Sequence, residues 1–196
     1  NNEIIFSLSG PNDGDTGSFS ITTAGLLSFR SPPDFETKQI YTVYVQASDP
    51  TGSNKTDIEV ITINITNLND NNPTFSSSST FAADENQTSI GSISASDADG
   101  DIITYSISGS ELAIDSSGVL SFTSSPDYET KDSYSAVVSA SDGTNISTQD
   151  IEISINNLND NAPVITSSNS FTRVEGCSET GIADCWNIGR VIATDA

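Results

Sequence analysis

The stretch "GLLSFRSPPDFETKQIYTVYVQASD", Gly25 to Asp49, returns as "GVLSFTSSPDYETKDSYSAVVSASD", Gly118 to Asp142, at a constant offset of 93. Repetition on this scale marks a chain built from tandem units. Downstream, "DIEVITINITNLNDN" matches "TQDIEISINNLNDN" at an offset of 90, so the loop ahead of that strand is three residues longer in the first copy. A third copy opens after Pro163, where "FTRVEGC" follows the pattern of "FAADENQ" and "NIGRVIATDA" that of "SIGSISASDA". The units therefore run 1–72 (the C-terminal part of a repeat), 73–162 (a complete repeat) and 163–196 (the N-terminal part of a repeat). Joining "TDA" at the end to "NNEIIFSLSG" at the start reproduces "SDADGDIITYSISG" with one residue fewer. This leads us to expect that the 196 residues form one period of a longer array.

Within each unit the apolar residues alternate. Tyr41, Val43, Val45 and Ala47 share one face, while Thr42, Gln46 and Ser48 share the other; Tyr134, Ala136, Val138 and Ala140 repeat the first row. A period of two is that of a half-buried strand. Ile61, Ile63 and Ile65, like Ile151, Ile153 and Ile155, make a further inward row. Short strands separated by turns such as "DSSG" and "SDG", with no helical period, predict an all-β chain of antiparallel sandwiches of about 90 residues.

The chain is strongly acidic, with 6 Lys and Arg against 27 Asp and Glu, a net charge of −21 and no histidine. Such a surface repels nucleic acid and anionic membranes. An acidic chain can be disordered, but 34% hydrophobic residues in regular alternation point to a packed core. The other use of many carboxylates is to bind hard cations, which take oxygen ligands. No apolar run approaches a membrane span, and the chain does not begin with a signal peptide.

The acids sit at strand ends and in turns. In the middle repeat they are Glu85 in "DEN", Asp97 and Asp99 in "DADGD", Asp127 and Glu129 in "PDYE", and Asp142 in "SDG". They are followed by the strap "NLNDNAP", which also occurs as "NLNDNNP" at Asn67 to Pro73. Taken singly, such an acid is most often a solvated turn former. Taken together, these motifs resemble the cadherin repeat, whose signatures are xEN, DxD, DxE, an xDxG-like turn and a linker of the form DxNDNxP. The match covers the whole chain as one full repeat and two partial ones.

That resemblance implies tandem seven-stranded Greek-key β-sandwiches with immunoglobulin-like architecture, holding Ca2+ between successive domains. At the first junction the implied ligands are Asp34 and Glu36, then Asn67, Asn69 and Asp70 through side chains with Leu68 and Asn71 through carbonyls, and finally Asp97, Asp99 and Asp142. At the second they are Glu85, Asp127, Glu129, Asn157, Asn159 and Asp160, the carbonyls of Leu158 and Asn161, and Asp195. Glu175 would serve the junction after that, and Asp49 the one ahead of the chain. Two departures stand out. Asn67 and Asn157 replace the first Asp of the linker motif, keeping an oxygen donor but losing a charge. The third copy reads "VEGC" and so loses the Asn of xEN.

Cys177 and Cys185 lie close together in "CSETGIADC". With no histidine and no other cysteine they cannot complete a four-ligand zinc site, so we expect a local disulfide and an oxidising compartment. The third copy is eight residues longer between Glu175 and Ile188 than the second is between Glu85 and Ile90, the pair lies in that insertion, and closing so short a loop contributes roughly 2 to 3 kcal/mol. Trp186 follows the pair, and packing against that loop is favoured over stacking on a sugar. It does not lie near the start of a first domain, as the tryptophan of strand-exchanging family members does. N-x-S/T sequons begin at Asn54, Asn64, Asn86 and Asn145.

The resulting expectation is a calcium-rigidified extracellular segment, a rod in cell adhesion or a surface filament. Its partners would be neighbouring repeats or other copies of the same protein. The rival is a polysaccharide-binding module, which would need an outward aromatic platform. An enzyme is not expected, because no nucleophile lies beside a base.

Overall fold

A computed structural model describes residues 4–9, 14–51, 55–167, 169–172 and 190–195. The alternating residues form strands: β1 (Ile5–Leu8), β2 (Phe19–Ile21), β3 (Leu27–Phe29), β4 (Ile40–Ser48), β5 (Thr56–Asn64), β6 (Thr74–Phe75), β7 (Thr80–Asp84) and β8 (Ser89–Ser92). They continue with β9 (Ala95–Ser96), β10 (Thr104–Ile107), β11 (Leu112–Ile114), β12 (Val119–Phe122), β13 (Ser133–Ser141), β14 (Ile146–Asn156), β15 (Val164–Ile165) and β16 (Ala193–Thr194). Among the described residues the one helical feature is a 3-10 turn at Thr16–Ser18. The chain divides into two compact units. The first holds Asn1–Ser76, Ser94–Thr104 and Ser139–Thr148, and the second Ser77–Ile93, Tyr105–Val138 and Gln149–Ala196.

In the first unit β1, β4 and β5 form an antiparallel sheet in which Val43 faces Ile61 and Tyr41 faces Ile63. The hairpin of β2 and β3 brings Phe19, Phe29 and Tyr41 into an aromatic cluster with ring centroids 4.4 to 5.8 Å apart. Offset and edge-to-face contacts of this kind contribute beyond the area they bury. Phe19, Val43 and Val45 are buried, as the alternation of β4 requires.

In the second unit β11, β12 and β8 form one antiparallel layer, whose Leu120 and Phe122 are buried. Facing positions come from Val138 on β13 and from Ile151, Ile153 and Ile155 on β14, all buried. Gly118 takes a left-handed φ of +83° beside Ile93; a Cβ there would lie 2.3 Å from the Ile93 carbonyl oxygen, so only glycine fits. Counting β6 with β7 and β8 with β9 as interrupted strands, residues 73–162 carry the seven strands that the resemblance implies.

The fold differs from the sequence expectation at two points. Not every pairing is antiparallel: β7 runs parallel to β14, with Ile153 opposite Phe81 and Ile155 opposite Ala83. Further, the two isoleucine rows are not equally covered. Ile151, Ile153 and Ile155 are buried, whereas Ile61, Ile63 and Ile65 are half-buried. β14 lies between β13 and β7 in its sheet, while among the described residues β5 pairs with β4 alone. Alternation tells which face is inward and says nothing of what lies on the far edge.

The third copy begins as the second does. Val164 and Ile165 pair with Thr194 and Ala193, as Thr74 and Phe75 pair with Ser96 and Ala95. Asn54, Glu175, Cys177, Cys185 and Trp186 lie outside the described residues.

Candidate metal centres

Each strap follows the last strand of a repeat, and its polar residues cannot continue a ladder whose inward positions are apolar. In the first unit the strap meets the "DADGD" turn. Carboxylate oxygens of Glu36, Asp70 and Asp99 lie within 4.8 Å of one another, and those of Asp97, Asp99 and Asp101 do the same. Asp99 belongs to both sets.

Donors from the strap fix Asp99. The main-chain N–H groups of Asp70 and Asn71 donate to its Oδ2 at 3.2 and 2.8 Å, and the Asn71 amide donates to its Oδ1 at 3.1 Å. That same amide reaches Asp70 Oδ1 at 3.0 Å. Asn67 donates to the Asp99 carbonyl at 2.8 Å. The Asp99 N–H in turn donates to Asp97 Oδ1 at 2.9 Å.

The remaining oxygen, Asp97 Oδ2, is shut off from solvent and has no hydrogen-bond partner. A desolvated carboxylate oxygen with nothing to accept from is costly unless a cation supplies the missing charge. This oxygen borders the most acidic part of the turn, so the donor set fits a hard divalent cation with oxygen ligands.

The electrostatics agree. Partial desolvation, together with the neighbouring Asp99 and Asp34, pushes the Glu36 carboxyl above its ordinary range. Desolvation opposes the charge on Asp99 as well, but the donors from Asn71 and Asp70 and the bond to Glu36 outweigh it and hold its carboxyl below. Crowded acids of this kind share protons when no cation is there to relieve them.

Asp34 and Asp142 support the first site from outside the carboxylate clusters. Asp34 caps its own turn, accepting from the N–H groups of Glu36 and Thr37 and from the Thr37 hydroxyl. Its carboxyl is held low chiefly by Thr37. Asp142 accepts from Thr144 and Asn145 N–H at 2.7 and 2.6 Å. The Asn145 amide lies within hydrogen-bond reach of Asn69 Oδ1, the Asn71 carbonyl and Asp142 Oδ2, at 2.8, 3.0 and 3.1 Å. Asp49 makes the matching turn in the first copy, accepting from Thr51 N–H and hydroxyl, both at 2.8 Å.

In the second unit carboxylate oxygens of Glu85, Glu129 and Asp160 lie within 4.8 Å of one another. Glu85 is 1% exposed. Leu158 N–H donates to its Oε1 at 2.6 Å and Tyr128 N–H to its Oε2 at 2.9 Å. Asn86, with a left-handed φ of 65°, points its amide at Asp160 Oδ2 at 2.5 Å. Asn161 braces Asp160 Oδ1 at 3.0 Å, and Asn157 donates to Glu129 Oε1 at 3.3 Å. Asp127 caps the turn that carries Glu129. Leu68 and Leu158 expose their side chains, Asn159 and Asp195 are exposed, and Asp195 joins none of the clusters among the described residues.

Three contributors are absent from the sequence reading. Asp101 extends "DADGD" into a third alternating acid, a signal present in the letters. Asn145 reads in sequence only as the start of a sequon, and Asn86 as a sequon start and the last letter of "DEN"; their bracing roles depend on long-range contacts.

No family model matches the chain. Among curated proteins it is 32% identical over 211 residues to human Protocadherin Fat 1, a match covering all of this chain and 4% of that protein. It is 31% identical over 166 residues to mouse Protocadherin-15, covering 77% of this chain and 8% of that protein. The chain thus spans a small fraction of the length of these relatives. Among solved structures it resembles the protocadherin gammaB7 EC3-6 cis-dimer, with a TM-score of 0.78 and 25% identity over 98% of this chain and 51% of that one. It also resembles extracellular cadherin domains 1-4 of protocadherin gamma B7, with a TM-score of 0.66 and 26% identity over 83% of this chain.

Proposed function

The chain belongs to the cadherin repeats, extracellular Greek-key sandwiches of adhesion proteins, and from that premise we propose that its carboxylate clusters hold calcium and stiffen the straps. The segment then acts as a structural rod in cell adhesion or in a surface filament, with residues 73–162 as its complete repeat. The observation that carries this reading is the sequestered, unpartnered Asp97 Oδ2 beside Asp99 and Asp101.

In the first unit the ion would be held by Glu36, Asp70, Asp97 and Asp99, supported by Asp34, Asp142, Asn69 and the carbonyls of Leu68 and Asn71. In the second, Glu85, Glu129 and Asp160 would hold it, supported by Asp127, Asn157, Asn159, the carbonyls of Leu158 and Asn161, and Asp195. Bound calcium supplies positive charge where like charges converge, at 6 to 8 oxygen ligands about 2.3 to 2.6 Å away. For Asn67 to join as a ligand its amide must turn its oxygen inward, giving up the bond to the Asp99 carbonyl. Extracellular modules bind at about 10⁻⁴ to 10⁻³ M, matched to a calcium-rich medium.

The partners of this reading are neighbouring repeats and other copies of the same protein. Polysaccharide binding is less well served: among the described residues every Phe and Tyr except Phe171 is buried or half-buried. No helix among the described residues is long and apolar enough to cross a membrane. Small-angle scattering and thermal melting, with calcium and with chelator, test the reading. Chelation is expected to lower the melting temperature and change the scattering profile; no change in either would overturn it.

A further inference from the structure

Three of the N-x-S/T sequons fall on described residues, and the fold treats them differently. Asn145 is engaged by the strap: its amide nitrogen lies 2.8 Å from Asn69 Oδ1, 3.0 Å from the Asn71 carbonyl and 3.1 Å from Asp142 Oδ2. Asn86 takes a left-handed φ of 65° and aims its amide nitrogen at Asp160 Oδ2, 2.5 Å away. A sugar on either nitrogen would replace one of these N–H groups and set bulk against a strap. Asn64 is unlike both. At the end of β5 its side chain is exposed, as is that of Thr66, and among the described residues neither makes a hydrogen bond.

The outward position of Asn64 does not depend on what flanks β5. Val43 is buried on the inward face of β4, so Thr42, Tyr44 and Gln46 point outward, and with them their partners on β5, Thr62, Val60 and Ile58. Period two puts Asn64 on that same face. Its match in the complete repeat, Ser154, is exposed although β14 has a neighbouring strand on each side.

The two copies differ in what this face carries. On β14 it presents Asp150 and Glu152, both exposed. On β5 the matching residues are Val60 and Thr62, preceded by Ile58, and Val60 and Ile58 are each 49% exposed. Thr42, Tyr44, Gln46, Ile58, Val60 and Thr62 thus hold no charge between them, in a chain of net charge −21. The copy that lacks acids on this face has a sequon at the end of the row, and the copy that has them carries Ser154 there.

We propose that Asn64 carries an N-linked glycan, that Asn86 and Asn145 do not, and that the glycan covers the apolar row of β5. The donor is the oligosaccharide linked to a lipid pyrophosphate in a secretory pathway. Asn64 Nδ2 bonds to C1 of the first sugar and loses a proton, while the bond from C1 to the pyrophosphate oxygen breaks and the lipid pyrophosphate leaves with that electron pair. Sugars on a surface asparagine are bulky and solubilising. Val60 lies four residues from Asn64, about 14 Å along a strand, within reach of a glycan of several sugars. The inference goes beyond the calcium reading and does not need it.

Site mapping by mass spectrometry tests the assignment on the 196-residue chain secreted from a eukaryotic host, beside a control protein of known occupancy. Asn64 is expected to be glycosylated in most molecules, and Asn86 and Asn145 in few or none. Enzymatic removal of the glycan from the folded protein should leave its circular dichroism unchanged and raise the fluorescence of a dye that binds apolar surface. The variant Ile58→Asp with Val60→Asp, altered only at exposed sites, should abolish that rise. An unmodified Asn64 in a preparation whose control is glycosylated, or occupancy of Asn86 or Asn145 equal to that of Asn64, would overturn the assignment. Dye binding that does not change on deglycosylation would overturn the covering role.

Discussion

The two carboxylate clusters use nearly the same strap and are anchored differently. In both, the Asn after the strap's acid braces it at 3.0 Å, Asn71 on Asp70 and Asn161 on Asp160. What the strap grips is not the same. The first cluster is organised around Asp99, a half-buried acid on a turn, held by donors from the strap itself. The second is organised around Glu85, a buried acid joined to two main-chain N–H groups from separate segments. The strap is thus a generic connector, and the anchor decides how far a cluster is built into the fold.

If that distinction is right, removing the two anchors must have different consequences. Glu85→Ala leaves the part-buried N–H groups of Tyr128 and Leu158 without the carboxylate they donate to. Charge-assisted bonds of this type contribute about 1.5 to 3 kcal/mol each, so the loss is expected to be about 3 kcal/mol or more, in calcium and in chelator alike. Denaturant unfolding measures it, and a stability loss confined to calcium-containing buffer would erase the contrast. Asp99→Asn should do the reverse, costing little in chelator and removing much of the calcium-dependent rise in melting temperature.

A smaller effect sharpens the comparison through the straps' first residue. Asn67 and Asn157 donate to the Asp99 carbonyl and to Glu129, bonds a carboxylate cannot make. Asn67→Asp is expected to lower the melting temperature in chelator, through added repulsion, and to tighten calcium binding. A variant that is less stable in chelator but binds calcium no better would show that this position does not face the ion.

The smallest effect lies away from both clusters. Asp15 is held below its ordinary range by the Lys38 ammonium and by the Thr42 N–H. Because the folded value is depressed, its contribution is present above the ordinary carboxylate pKa and is lost as pH falls through the folded value. Asp15→Asn should therefore melt lower than the parent at neutral pH, with the gap closing in acid. The matching lysine of the second unit, Lys131, pairs instead with Glu111 at 2.6 Å, while each lysine sits over the tyrosine three residues on, Tyr41 at 5.0 Å and Tyr134 at 4.1 Å. The cation is placed by the repeat, and its acid partner is not.

Much of this was legible in the letters. Alternation placed β4 and β13 and their inward valines, and the resemblance to the cadherin repeat pointed to the six acids that lie together in two of the clusters. What local pattern could not carry was coverage and long-range bracing. The row Ile61, Ile63 and Ile65 looks identical to Ile151, Ile153 and Ile155, yet the first is half-buried and the second buried. Parallel pairing of β7 with β14 joins residues more than seventy positions apart. Asn145 reaches Asn69 over a similar separation, so its role has no signature within its own turn.

Calcium titration by isothermal calorimetry, on the parent chain and on variants disabled in one or both clusters, bears most directly on whether these acids are ligands. Saturable binding in the range of about 10⁻⁴ to 10⁻³ M is expected for the parent. Asp99→Asn and Asp160→Asn should each remove part of the bound calcium, and the double variant nearly all of it. Binding that is absent from the parent, or undiminished in the double variant, would contradict the account.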